Sequence, residues 1–167
     1  MSAENYEIRQ LVREDINELR TITVGSNLKW GIMTKDGKEN PWIVKSLDGV
    51  VGSKEEGIRI YGLFVGGSMV AAVSLGLRVQ GENHHHNAFI KSVYTHPNYR
   101  RMGYGKALIR YAEDVAERFG DDTVTLFMDK TQLSAEEQIV AQLFIVRCGY
   151  GYEDTMEDND VFGRSIK

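Results

Sequence analysis

Hydrophobic and polar positions change period several times along the 167-residue chain, and each change predicts an element. "YEIRQL", Tyr6 to Leu11, alternates as a short first strand. "REDINELRTI" then puts Glu14 and Asp15 in an acidic first turn and Ile16, Leu19 and Ile22 on one side of a helix. From Gly25 to Gly57 the pattern is poor. Trp30 and Trp42 are its large apolar anchors, and "NPWIVKSL" reads as a short second helix. "IRIYGLFVGGSMVAAVSLGLRV" is a hairpin signal, because Gly66 and Gly67 supply the positive φ that a tight turn between two β-rich runs requires. "QGENHHHN" is a polar loop and "AFIKSVYT" a further strand.

The second half is sharper. Leu108, Tyr111, Ala112, Val115 and Phe119 recur at helical spacing, while Arg110, Asp114, Glu117 and Arg118 are expected to face away. Gly120 is placed to stop that helix. "DTVTLFM" is a strand with Val124, Leu126 and Met128 on one face. Ser134 and Glu137 form an S-x-x-E capping box that opens a helix through about Arg147. "GYGYE" and "VFGRSI" read as two last strands around an acidic turn. No internal repeat, low-complexity stretch or linker interrupts this order, so one domain over residues 1–167 is expected.

Composition narrows the class. With 42% hydrophobic and 26% charged residues, the chain can bury a full core without disulfides or a structural metal. A net charge of −4 argues against nucleic acid as a partner, since phosphate neutralisation needs a basic surface. The one cysteine, Cys148, excludes an internal disulfide, fits a reducing compartment, and reads as a packed thiol. "MSAENYEIRQ" lacks a basic-then-apolar signal and no apolar run approaches membrane-spanning length. The expectation is a cytoplasmic protein with no membrane partner.

The candidate chemistry lies in "VYTHPNYRRMGYGKALI", residues 93 to 109, where a strand pattern gives way to glycines and then to a helix. Such a junction offers bare backbone N–H groups to an anion. Two common phosphate loops fail on spacing. For a Walker loop, Arg100 stands at the first glycine position and Ala107 follows Gly105-Lys106; for a dinucleotide fingerprint, Leu108 replaces the third glycine. What remains is R-x-x-G-x-G at Arg100, Gly103 and Gly105.

That segment resembles the acetyl-CoA-binding segment of the GNAT superfamily of acyl-CoA N-acyltransferases, matching at His96-Pro97, Arg100, Gly103, Gly105, Ala107 and Leu108. The Gly66-Gly67 hairpin stands where the family has its second and third strands. Ala141, Gly149 and Tyr150 match a later Ala and Gly-aromatic spacing. The resemblance implies an α/β sandwich with a central, mostly antiparallel mixed sheet flanked by helices on both faces. It implies acetyl-CoA as co-substrate, with no metal, and a small-molecule or peptide amine as acceptor. The family's diphosphate site would fall on Arg101, Met102, Gly103, Tyr104, Gly105 and Lys106, with Arg100 beside it. The pantetheine arm would run along Val93, Tyr94 and Thr95, and a main-chain N–H near Val93 would meet the oxyanion. Dimers are common in the family; the sequence leaves a homodimer open.

The chain departs from the family where many members carry a tyrosine that protonates the leaving thiolate. That position is Ile145, which cannot donate a proton, and the usual asparagine at the helix start is Gln138, which keeps an amide on a longer arm and is counted with the cofactor-binding residues the resemblance implies. No catalytic residue is assigned. Tyr94, Tyr104 and Tyr111 are chemically able donors, and Asp129 and Glu82 are carboxylates able to take a proton from an amine through water, each with an ordinary structural reading beside it. Three readings therefore stay open: an N-acetyltransferase, a non-catalytic CoA-binding module, and a nucleotide-binding protein using the same loop. His84, His85 and His86 diverge as consecutive side chains and read as solvated loop rather than metal ligands; "EDTMEDND" reads as an acidic hairpin tip.

Overall fold

The computed structural model describes residues 5–26, 28, 30–33, 36–49, 57–77 and 87–166, and for Trp42 the main chain only. Glu82 and the histidines at 84, 85 and 86 lie outside the described residues. The strands are β1 (Tyr6–Gln10), β2 (Gly57–Val65), β3 (Ser68–Leu77), β4 (Asn87–Thr95), β5 (Thr123–Asp129), β6 (Gly151–Met156) and β7 (Asn159–Ser165). The helices are α1 (Ile16–Ile22), α2 (Pro41–Leu47), α3 (Tyr104–Phe119) and α4 (Ala135–Arg147). One seven-stranded sheet runs in the order β1-β2-β3-β4-β5-β7-β6. Every pairing is antiparallel except β4 with β5, which are parallel. A parallel pair needs a crossover, and α3 is that crossover.

Local chemistry explains the elements. Gly66 (φ 59°) and Gly67 (φ 86°) both take the left-handed backbone that lets Val65 pair with Ser68 across a two-residue turn. Gly120 (φ 107°) ends α3 with its N–H on the carbonyls of Ala116 and Glu117. At α4, the Glu137 N–H donates to Ser134 Oγ (3.2 Å) while Glu137 Oε1 accepts the Ser134 N–H (2.8 Å), which closes the expected capping box.

Two apolar cores lie on the two faces of the sheet. On one, Leu108, Ile109, Ala112 and Ala116 of α3 pack with Ile145 of α4 over Leu63, Val73, Leu75, Ile90 and Leu126. On the other, Ile16, Leu19, Ile22, Trp30, Ile43 and Leu47 pack over Ile60, Phe64 and Ala72. The alternation of β2 separates them, since Leu63 points to one core and Phe64 to the other.

Three details differ from the sequence reading. The acidic first turn of the first helix is a separate 3-10 turn, Arg13–Asp15, and Asp15 accepts from Arg9 (2.8 and 2.9 Å) and from the Val12 N–H (2.8 Å). The acidic tract is mostly strand: Glu153 and Asp154 are in β6, and only residues 157 and 158 turn, with Glu157 at φ 56°. Arg110 does not face away. It folds back to donate to Glu113 (2.9 Å) and to the Cys148 carbonyl (2.8 Å), tying α3 to the end of α4.

Candidate functional site

Beta-strands β4 and β5 pair only from Asn87/Thr123 to Ile90/Leu126. Asn87 clamps the closed end, its amide donating to Thr125 Oγ1 (2.9 Å) and accepting from Thr123 Oγ1 (3.0 Å). At the other end, β3 keeps register with Ile90 opposite Leu75 and Ser92 opposite Ser74, so Lys91 is the extra residue of a β-bulge. The bulge falls just after the last β4–β5 pair and turns β4 away. Residues 91–95 and 127–129 thus line the two arms of an open wedge.

The alternation of an antiparallel ladder fixes what β4 offers to that wedge. His96 donates its N–H to the Val70 carbonyl (2.8 Å), so even-numbered residues before it turn their main-chain groups to β3. Val93 and Thr95 accordingly turn theirs toward the wedge. Side chains alternate the other way: Val93 packs on the α3 core, Tyr94 on the α1–α2 core.

The strand leads into a 3-10 turn, Pro97–Tyr99, capped by His96 Nδ1, which accepts the Asn98 N–H (3.2 Å). Arg100 Nε donates to the Thr95 carbonyl (2.8 Å) and its guanidinium lies 5.5 Å from the Tyr94 ring centre. The loop therefore closes back onto β4. Arg101 (φ 65°) and Gly103 (φ 83°) are both left-handed, and the Ala107 N–H to Gly103 carbonyl bond (3.0 Å) opens α3. Among the described residues, none accepts a hydrogen bond from the N–H groups of Arg101, Met102, Gly103, Tyr104, Gly105 or Lys106. Six unpartnered donors at the positive end of a sixteen-residue helix, flanked by Arg101 and Lys106, are the kind of groups that can meet a diphosphate-sized anion.

The two glycines serve different ends. A Cβ on Gly103 would stand in open space, so backbone conformation and access to the donors call for glycine there. A Cβ on Gly105 would meet Phe144 Cζ at 3.1 Å and Thr95 Oγ1 at 3.5 Å, so this glycine lets α4 approach α3. The tyrosine of the loop contributes only its N–H. The Tyr104 ring is buried edge-on against Tyr6, with centroids 5.8 Å apart.

The remaining sequence candidates separate cleanly. Ile145 is 3% exposed and lies in the α3-side core. The half-buried Tyr111 packs at a tilt against Tyr61, with ring centres 5.2 Å apart, at the edge of that core. Of the three tyrosines, Tyr94 alone stands on the wedge strand. Asp129 is at the mouth of the wedge, but its oxygens already accept from the Thr131 N–H (3.0 Å), Thr131 Oγ1 (2.6 Å) and Gln132 Nε2 (3.0 Å). Gln138 donates into the preceding turn, to the carbonyls of Leu133 (3.2 Å) and Lys130 (3.4 Å). Cys148 is buried, and burial pushes its thiol pKa up, away from a reactive thiolate. No group of three or more potential metal-binding side chains occurs among the described residues, nor any helix long and apolar enough to cross a membrane.

Sequence reasoning missed one buried network. Tyr150 Oη donates to Glu113 Oε2 (2.7 Å), which also faces Arg110 Nη1 (2.9 Å) and Arg164 Nε (3.3 Å). A glutamate beside Ala112 on the apolar side of α3 was the available signal.

Comparisons with known proteins agree with this geometry. The model of the GNAT acetyltransferase family matches residues 26–150. The chain is similar in structure to the PaiA N-acetyltransferase of Thermoplasma acidophilum in complex with coenzyme A, at 20% identity and a TM-score of 0.67, over 96% of this chain and 99% of that one. It is similar to the ribosomal-protein-S18-alanine N-acetyltransferase of Escherichia coli, at 17% identity and a TM-score of 0.61, over 97% and 94% of the two chains. Nourseothricin acetyltransferase is similar at 16% identity and a TM-score of 0.61, over 97% and 99%. No curated protein sequence matches the chain. The structural likenesses speak for the fold, and the family model spans the wedge, the loop and α4. On that match, and with the sheet and helices arranged as described, the chain belongs to the GNAT acetyltransferase family.

Proposed function

We propose that the chain transfers an acetyl group from acetyl-CoA to a primary amine by direct attack in a ternary complex. The observation that carries this reading is the row of six free N–H groups from Arg101 to Lys106 beside the open edge of β4. The N–H row suits the CoA diphosphate, and the outward main-chain groups of Val93, with the outward Thr95 N–H, suit a pantetheine arm added as an extra strand. The similar structure that contains coenzyme A supports the same assignment.

In this reading the amine nitrogen attacks the thioester carbonyl, a C–N bond forms, the C–S bond breaks, and the thiolate leaves. The Val93 N–H is the donor nearest to where the oxyanion develops. The attacking nitrogen gives up one proton to water as the amide forms, and because Ile145 can supply none, water returns a proton to the thiolate. An ordinary thiol pKa near ~8.5 makes that leaving group competent without a dedicated acid. Most of the rate then comes from holding the two substrates in line. The amine enters from the α1–α2 face, where Tyr94 packs with the core of Trp30, Ile43 and Leu47.

Two measurements test the reading. Calorimetric titration of CoA should give binding that weakens at least ~10-fold in Gly103→Asp, a residue that tolerates left-handed backbone but adds negative charge among the donors. Undiminished affinity in the folded variant would overturn the site, and equal competition by adenine nucleotides would favour a nucleotide-binding protein. Acetyl-CoA turnover over a panel of small and peptide amines tests transfer itself. CoA binding with no turnover across the panel would replace the transferase with a CoA-binding module.

A further inference from the structure

Helix α4 is apolar on both of its sides, yet the fold covers only one. Ala141, Phe144 and Ile145 face α3 and the sheet. On the opposite side Ile139 (61% exposed), Val140 (66%), Leu143 (52%) and Val146 (54%) are bare. A single exposed aliphatic is ordinary, but four of them on one helix face form a continuous patch of the kind that marks an interaction surface.

The ends of the stripe identify what covers it. Glu136, Val140, Leu143 and Arg147 are spaced four, three and four residues apart, which is the seam spacing of two helices packed side by side. Glu136 and Arg147 are both exposed, and neither makes an ion pair among the described residues. The stripe therefore reads acid, apolar, apolar, base, and it is complementary to itself when reversed. About a two-fold axis between Ala141 and Gln142, Val140 meets the partner's Leu143, and Glu136 meets the partner's Arg147. The symmetry repeats both contacts, so two ion pairs close the ends of one apolar seam.

We propose that α4 is the homodimer interface of this protein, packed antiparallel on α4 of a second copy. Parallel packing would set Glu136 against the partner's Glu136 and Arg147 against the partner's Arg147, so charge selects the antiparallel arrangement. The proposal is independent of the transferase reading.

Sedimentation equilibrium on the full chain and four variants tests it. The wild type should dimerise with a Kd on the order of 10 μM, as suits a seam smaller than a standard interface. Leu143→Glu should be monomeric at all concentrations while keeping its far-ultraviolet circular dichroism. Glu136→Arg and Arg147→Glu should each raise the Kd by about 10-fold or more, since each sets like charges together at both ends. The double variant Glu136→Arg/Arg147→Glu should return to within about threefold of the wild type, because the pairs reform with their signs exchanged. A wild type that stays monomeric at ~200 μM would overturn the dimer. A dimer unaffected by Leu143→Glu would overturn the surface. Single reversals that the double variant does not rescue would overturn the antiparallel arrangement.

Discussion

Phe144 of α4 fills the space that a side chain on Gly105 of α3 would take, with its Cζ 3.1 Å from an ideal Cβ there. The first turn of α3 carries the free N–H donors, so the fit of these two residues sets where the donors stand relative to β4. Gly105→Ala should lose about 1–3 kcal/mol of stability through overpacking. Phe144→Leu, which removes the ring edge, should recover part of that loss in the double variant. Urea denaturation of the four proteins gives the coupling. A strictly additive cycle would show that the ring does not restrain the loop.

Ile145 gives the second expectation. It is 3% exposed and packs in the α3-side core, so its contribution is burial. Ile145→Val should reduce stability by about 0.5–1.5 kcal/mol and leave kcat unchanged. Thermal denaturation and single-turnover kinetics separate the two quantities. A large fall in turnover in the folded variant would place this residue at the reacting thioester after all.

The parts of the fold that were legible in the sequence are those in which a local signal agrees with the tertiary environment. Helix α3 runs sixteen residues, long enough for its period to show, and its glycine stop is local chemistry. The hairpin at Gly66-Gly67 and the Ser134–Glu137 box are equally local. Helix α2 was read from "NPWIVKSL" but spans only seven residues, under two turns, and the rest of its region is held by scattered anchors such as Trp30 and Ile43. No period can emerge from that. What the glycine spacing does carry is local backbone chemistry: among the described residues the N–H groups from Arg101 to Lys106 have no acceptor. The wedge was not legible, because it depends on a pairing partner for β4 and on one extra residue, Lys91. Nor was the approach of Phe144 to Gly105, a contact between positions 39 residues apart by their numbers.

The hydrogen bond from Tyr150 to Glu113 (2.7 Å) predicts an alkaline signature. Burial, and then the Glu113 carboxylate it donates to, hold the Tyr150 phenol well above the usual tyrosine pKa. The folded state thus keeps a proton that the unfolded chain releases near pH ~10. The phenol's contribution to stability is complete below that pH and falls as pH rises beyond it. Tyr150→Phe removes both the bond and the slope. It should be less stable than the wild type by about 1 kcal/mol at neutral pH. Its stability should also decline less steeply than the wild type's above pH ~10. Denaturant titrations at pH 7 and in the alkaline range measure both. Parallel alkaline slopes in the two proteins would show that Tyr150 is not the titrating group.

The pH dependence of transfer distinguishes a wedge without a general acid from one with a substitute. An alkyl amine of pKa near ~10.4 must lose its proton before it attacks, so log(kcat/KM) for the acceptor should climb from about pH 6 to about pH 9. If no side chain serves as the acid in place of Ile145, the profile should have no descending limb there. Of the three tyrosines, Tyr94 stands on the wedge strand while Tyr104 and Tyr111 pack against Tyr6 and Tyr61, so Tyr94 is the phenol placed to stand in. A fall in rate at pH 8 to 9 that disappears in Tyr94→Phe would name it as the acid. A profile that rises alike in the wild type and in Tyr94→Phe would leave protonation of the thiolate to water, and the rate to the placement of two substrates between β4 and β5.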